Sequence, residues 1–277
     1  MKFIETRSNA NETVKLHYED IGQGKPVVLI HGWPLSHEMW EYQMLALMEN
    51  NYRVIAYDRR GFGKSDRPKS GYDYDTLADD LKAILDGLDL KDVTLIGFSM
   101  GGGEVIRYMS RHAGARVSKV VLISTVVPYM LKTEEHPDGI PEEMFQGFDA
   151  SIRKDRADFI STFSKMFYGV SLISHPVSQA QLDRDFTLAM HGSLQATLAC
   201  MHSFAETDFR GDMSAVKVPC LIIHGDEDKT VPINISSDVT ERLIPGSEYK
   251  VYKGAPHGLF ITEKDKLNSD LLKFLAS

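Results

Sequence analysis

Apolar residues along this chain follow two rhythms. Short runs rich in β-branched side chains, bounded by turn residues, occur at 14–18 (VKLHY), 27–30 (VVLI), 53–57 (RVIAY), 93–96 (VTLI), 120–124 (VVLIS), 221–224 (LIIH) and 249–252 (YKVY), and they predict strands. Several are apolar at consecutive positions, the pattern of a strand covered on both faces by helices. Between them, residues 37–48, 74–88, 102–112 and 264–276 place apolar residues three and four apart, which predicts amphipathic helices. Strand and helix alternate, so the expected class is α/β, with a mostly parallel central sheet flanked by helices.

The alternation stops between Pro128 and about Met213. One helical pattern runs over 141–168, with Phe145, Phe148, Ile152, Phe159, Phe163 and Phe167 along one face. A second runs over 178–204 through Leu182, Phe186, Met190, Leu194, Leu198 and Met201. A stretch of about 85 residues without a strand is too long for an ordinary connection. Residues 128–213 therefore read as a helical lid inserted into a core domain formed by 1–127 and 214–277.

Candidate chemistry centres on "VTLIGFSMGGGEVIRYM", where Gly97-Phe98-Ser99-Met100-Gly101 forms a G-x-S-x-G motif between a predicted strand and a predicted helix. That context places the serine on a sharp turn with its hydroxyl exposed at the end of the sheet. Gly97 and Gly101 have no Cβ to collide with the neighbouring strand and helix, and Gly102 and Gly103 let the helix pack closely. A serine hydroxyl needs a base to take its proton, and the base needs an acid to fix its tautomer. His257, between Pro and Gly after the last predicted strand, is the candidate base; His224 lies inside a strand and reads as structural. Asp226 and Asp228 follow "LIIHG". Asp228 is favoured as the acid, because a residue directly after Gly225 more naturally caps the turn. Acyl transfer also needs donors for a developing oxyanion. The N–H groups of Trp33, in the loop "HGWPLSHEMW", and of Met100, after the serine, are the candidates, with His31 and Gly32 shaping that loop.

These segments together resemble the α/β-hydrolases of the cofactor-free bacterial haloperoxidase and aryl esterase family. The likeness is carried by "HGWPLSHEMWEYQM", "YDRRGFGKSDRP", "GFSMGGGEVIRYMSRH", "FAETDFRGDM", "HGDEDKTVP" and "VYKGAPHG", in collinear order over nearly the whole chain. The resemblance implies an α/β-hydrolase fold, with Ser99, Asp228 and His257 as the triad and Trp33 and Met100 as the oxyanion hole. Phe148, Phe163, Phe167 and Phe204 then match the aromatics of the substrate pocket. Pro34 matches a position where proline accompanies good peracid turnover; by fixing φ and removing a donor, it would re-aim the Trp33 carbonyl towards the acyl centre. The implied activity is hydrolysis of small apolar or aryl esters, and formation of peracids from carboxylates and hydrogen peroxide that go on to oxidise halide. No cofactor is implied, and homo-oligomers are common among similar proteins.

Other readings weaken against the residues. "RGFGKSD" has Asp58 where a phosphate loop needs glycine, and "GGGEVI" has Ile106 where a dinucleotide fingerprint needs its third glycine. The nucleophile position holds Ser instead of the Asp that dehalogenases and epoxide hydrolases use on this fold, and no His, Cys and carboxylate set has metal-ligand spacing. A lactonase or amidase would use the same triad; a binding protein on this fold would be expected to lack a triad member, and none is missing. With 277 residues and a formal charge of -8, no clustered basic face for nucleic acid is expected. The two cysteines, Cys200 and Cys220, have no disulfide or zinc spacing. The N-terminal stretch lacks the apolar core of a secretory signal and no run spans a membrane, so a cytoplasmic location is the expectation.

Overall fold

The apolar runs assemble into one eight-stranded sheet in a computed structural model that describes residues 1–7 and 12–277. The strands are β1 (Lys2–Arg7), β2 (Thr13–Gly22), β3 (Lys25–Ile30), β4 (Tyr52–Tyr57), β5 (Val93–Phe98), β6 (Val117–Ile123), β7 (Cys220–Gly225) and β8 (Glu248–Tyr252). Their spatial order is β1-β2-β4-β3-β5-β6-β7-β8. β2 pairs antiparallel with β1 and β4, and all pairs from β4 to β8 are parallel. The helices are α1 (Glu41–Glu49), α2 (Tyr74–Gly87), α3 (Met100–Arg111), α4 (Glu142–Phe167), α5 (Gln179–Met190), α6 (Leu194–Glu206), α7 (Ser237–Leu243), α8 (Leu259–Thr262) and α9 (Lys264–Ala276). Every residue of β5 and β7 is buried. Since successive side chains point to opposite faces, both faces of these strands are covered, which explains their unbroken apolar runs.

Strand order locates the site before any side chain is considered. The chain leaves β3 for β4 on one side, whereas β5 lies on the other. Connections therefore diverge at the carboxyl ends of β3 and β5, opening the crevice where open α/β sheets bind ligands. Trp33 follows β3 and Ser99 follows β5.

Three departures from the sequence expectation have local causes. The apolar pattern does not predict β1; it is an edge strand with four of its six positions exposed, held by its register against β2. The helical pattern over 178–204 is two helices, because His191–Gly192 ends α5 and the Ser193 hydroxyl accepts the Ala196 N–H at 3.0 Å to start α6. Such an N-cap satisfies a donor the helix start leaves unpaired. The pattern over 141–168 is kinked at Asp155, whose backbone leaves the helical region and whose carboxylate accepts the Asp158 N–H at 3.0 Å. Among the described residues, no helix is long and apolar enough to cross a membrane.

One buried ion pair ties the crevice to the sheet. Arg59, just after β4, is paired with Glu104 of α3, both fully buried, and the Tyr57 hydroxyl donates to Glu104 at 2.6 Å. The same guanidinium donates to the His31 carbonyl at 2.6 Å, so the loop after β3 and the helix after β5 share one anchor. Removing one partner of a buried pair leaves an uncompensated charge. Glu104→Ala is therefore expected to cost about 3–5 kcal/mol of folding stability, read from urea unfolding midpoints; a loss below about 1 kcal/mol would contradict this account of the pair.

Candidate active site

The turn between β5 and α3 is unusually tight. A Cβ at Gly97 would lie 2.6 Å from the Gly101 carbonyl oxygen, and one at Gly101 would lie 2.5 Å from the Ile30 carbonyl oxygen of β3. Backbones approach this closely only where side chains are absent. Ser99, at the apex, is driven to φ 53°, ψ −121°, a strained setting for a residue with a side chain. Three backbone bonds hold it there: its N–H donates to the Ile123 carbonyl at 2.9 Å, and its carbonyl accepts the Gly102 N–H at 3.0 Å and the Val126 N–H at 3.4 Å.

The serine hydroxyl meets a continuous relay. His257 Nε2 lies 3.0 Å from Ser99 Oγ, and His257 Nδ1 lies 2.6 Å from Asp228 Oδ2. All three side chains are buried. The second carboxylate oxygen of Asp228 accepts the backbone N–H groups of Thr230 at 2.9 Å and Val231 at 2.8 Å. Burial alone would raise the Asp228 carboxyl. The charge of His257 and the hydrogen bonds from His224 and His257 outweigh it and hold the group well below the usual carboxylate range. An ionised Asp228 keeps the proton of His257 on Nδ1 and leaves Nε2 free to accept from the serine. Asp226 stands apart: it is exposed, and its carboxylate accepts the Gly254 N–H.

His224 belongs to this relay although its place within a strand concealed it. Its Nε2 lies 2.9 Å from the Val231 carbonyl and 3.2 Å from Asp228 Oδ2, while Nδ1 lies 2.7 Å from the Ser237 hydroxyl. The carbonyl can only accept, so Nε2 carries the proton and Nδ1 accepts from the serine. The signal available in the sequence was a histidine four residues before the acid at a strand end.

Two amides, one in the loop after β3 and one at the start of α3, have no partner among the described residues: neither the Trp33 N–H nor the Met100 N–H donates to an acceptor in the chain. Met100 opens α3, where the first N–H groups have no intrahelical acceptor and the helix dipole favours negative charge. The loop bearing Trp33 is set by His31, whose Nε2 accepts the Arg59 backbone N–H at 2.9 Å and whose Nδ1 donates to the Gly32 carbonyl at 2.9 Å. Burial, reinforced by the Arg59 charge, pushes His31 down to about 3, so it remains neutral beside that guanidinium.

Above Ser99 lies a largely apolar cavity of 430 Å³, lined in part by Trp33, Phe148, Phe163 and Phe204. The Trp33 ring meets Phe163 and Phe204 edge-on at 5.4 and 5.6 Å, and its indole N–H donates to the Thr197 carbonyl of α6 at 2.9 Å. Phe167 and Pro34 do not line this cavity. Phe167 turns its ring against His257, centroids 4.8 Å apart, and Pro34, joined to Trp33 by a cis peptide bond, lies with Leu35 and Phe167 around a separate small void. Elsewhere, His17, His37 and Asp58 bring their ligand-type atoms within 4.8 Å of one another, a grouping that separate chain segments hid from sequence spacing. One Asp58 oxygen accepts from His37 N and Nδ1 at 2.9 and 2.7 Å and the other from Lys64 N at 2.9 Å, so both carboxylate oxygens are engaged within the chain.

A strained serine at a strand-to-helix turn, bonded to histidine and aspartate from the two strands beyond, is the architecture of a serine hydrolase. The chain belongs to the α/β-hydrolase fold family, whose model matches residues 25–264. Within that family it groups with the non-heme haloperoxidases. It is 41% identical over 264 residues to the non-heme chloroperoxidase CPO-A1 of Kitasatospora aureofaciens, covering 95% of this chain and 96% of the relative. It is 38% identical over 267 residues to the bifunctional esterase/perhydrolase DCH of Acinetobacter calcoaceticus, covering 95% and 97%. The crystal structure of bromoperoxidase from Bacillus anthracis matches with a TM-score of 0.95 at 44% identity, over 100% of this chain and 99% of that one.

The depressed carboxyl of Asp228 has a signed consequence for stability. Its folded value lies below the unfolded value of about 3.9, so it adds stability above about pH 4 that is lost as pH falls through the folded value. Asp228→Asn is expected to flatten the decline of the urea midpoint between about pH 4 and pH 2. Parallel declines in the variant and the wild type would refute the assignment.

Proposed function

We propose that this chain hydrolyses small apolar or aryl carboxylic esters through Ser99, and that with hydrogen peroxide as acceptor it forms peracids without a cofactor. The observation that carries the reading is the relay of 3.0 and 2.6 Å from Ser99 through His257 to Asp228, opening on an apolar cavity. Ser99 Oγ attacks the acyl carbonyl while His257 Nε2 takes its proton, and Asp228 stabilises the imidazolium. The Trp33 and Met100 amides receive the oxyanion, which spares the transition state any reorganisation of solvent. His257 then protonates the leaving alcohol.

The acyl-enzyme is resolved by whichever nucleophile His257 deprotonates. Water returns the carboxylic acid; hydrogen peroxide gives the peracid. Peracid, halide and a proton yield carboxylic acid and hypohalous acid, so halide oxidation needs no redox group in the protein. In this reading α4 and α6 act as the lid over the acyl pocket, and Pro34 steadies the loop whose Trp33 carbonyl accepts a hydrogen bond from peroxide. The names of the haloperoxidase and esterase/perhydrolase relatives support both halves of the assignment.

Ser99→Ala should lower kcat/KM for a chromogenic aryl acetate by at least about 10³-fold. In peroxide and bromide, wild-type protein should brominate a dye with acetate present and lose that activity in a carboxylate-free buffer. Hydrolysis surviving Ser99→Ala would reject the nucleophile; bromination indifferent to carboxylate would reject the peracid route.

A further inference from the structure

Three of the twelve methionines, Met130, Met144 and Met166, line the same cavity as Ser99. Met144 and Met166 belong to α4, and Met130 to the segment after β6. Met130 is 2% exposed, whereas Met144 is 51% exposed. Flexible thioethers suit an irregular apolar wall, but they are also the side chains most readily oxidised by a two-electron oxygen donor. A peracid released from the acyl-enzyme is such a donor, formed within the space these residues enclose.

The geometry points to Met130, Met144 and Met166 as the sites at which this protein oxidises itself during peracid formation, a reading that rests on the perhydrolase activity proposed above. The thioether sulfur attacks the outer peroxy oxygen, the O–O bond breaks, and a sulfur–oxygen bond forms. The proton of the outer oxygen passes to the departing carboxylate. Sulfur loses two electrons and the peroxy oxygen gains them, giving methionine sulfoxide and the parent carboxylic acid. Each event converts an apolar wall position into a polar one, so turnover progressively shifts the cavity away from apolar acyl groups.

Oxidant arriving from bulk solvent attacks by exposure, so it reaches Met1, 93% exposed, and Met48, 36% exposed, ahead of Met130. Oxidant made in the cavity reverses that order. The test incubates wild-type protein and Ser99→Ala with hydrogen peroxide and acetate, free of halide, with free methionine in the buffer. The free methionine consumes escaping peracid, and its sulfoxide, above the Ser99→Ala background, measures peracid output. Lys119, Lys132, Arg153, Lys165 and Arg184 let trypsin isolate each cavity methionine in its own peptide for mass analysis. The expected result is at least about fivefold more sulfoxide at Met130 than at Met1 or Met48 in the wild type, and the opposite order in Ser99→Ala. Peracid output with Met130 no more oxidised than in Ser99→Ala overturns this inference and leaves the activity standing. No peracid output above background overturns the perhydrolase reading and this inference with it.

Discussion

The site depends on a close approach of backbones: α3 begins so near β3 and β5 that neither Gly97 nor Gly101 can carry a side chain. Everything at the site follows from that proximity. It forces the apex residue into left-handed φ, and a non-glycine residue there costs on the order of 1–3 kcal/mol. The cost is borne because the apex is bonded on both sides, to β6 and to the first turn of α3. A turn this short also sets the serine hydroxyl and the first free amide of the helix side by side. The proposed nucleophile and oxyanion donor thus occupy adjacent residues, Ser99 and Met100.

A second layer of buried charge keeps the other half of the site in register. Arg59 reaches both Glu104 on the nucleophile-bearing helix and the His31 carbonyl on the loop that carries Trp33. The loop and the helix come from different strands, and this cation measures the distance between them. His31 remains neutral beside it and adds a backbone tie to Arg59. Trp33 extends the same frame outward, because its ring packs against Phe163 of α4 and Phe204 of α6 and its indole is bonded to α6. The helices over the cavity are thereby keyed to Trp33.

Legibility in the sequence followed the physics of each feature. Strands buried on both faces show as unbroken apolar runs, so the central sheet from β3 to β7 was readable, whereas β1, an exposed edge, depends on pairing that no local pattern reveals. The triad was readable because glycine and strand ends mark where a chain can present a side chain. The breaks at Asp155 and Gly192 escaped notice because the apolar spacing runs through them; capping, not periodicity, decides where those helices stop. His224, Arg59 and Glu104 were not legible as parts of the site, since their roles arise from partners on distant segments. The family resemblance pointed to Phe148, Phe163 and Phe204, which line the cavity, but did not separate them from Phe167, whose ring packs against His257.

That placement of Phe167 has a kinetic meaning. The imidazole of His257 packs against a corner formed by Phe98 and Phe167, with ring centroids 4.9 and 4.8 Å away. A ring backed by two phenylalanines and tethered through Nδ1 is restrained from swinging away from the serine. Acylation and the deacylation by water or peroxide therefore draw on one proton relay in one place, and competing acceptors are sorted by how well they reach that nitrogen.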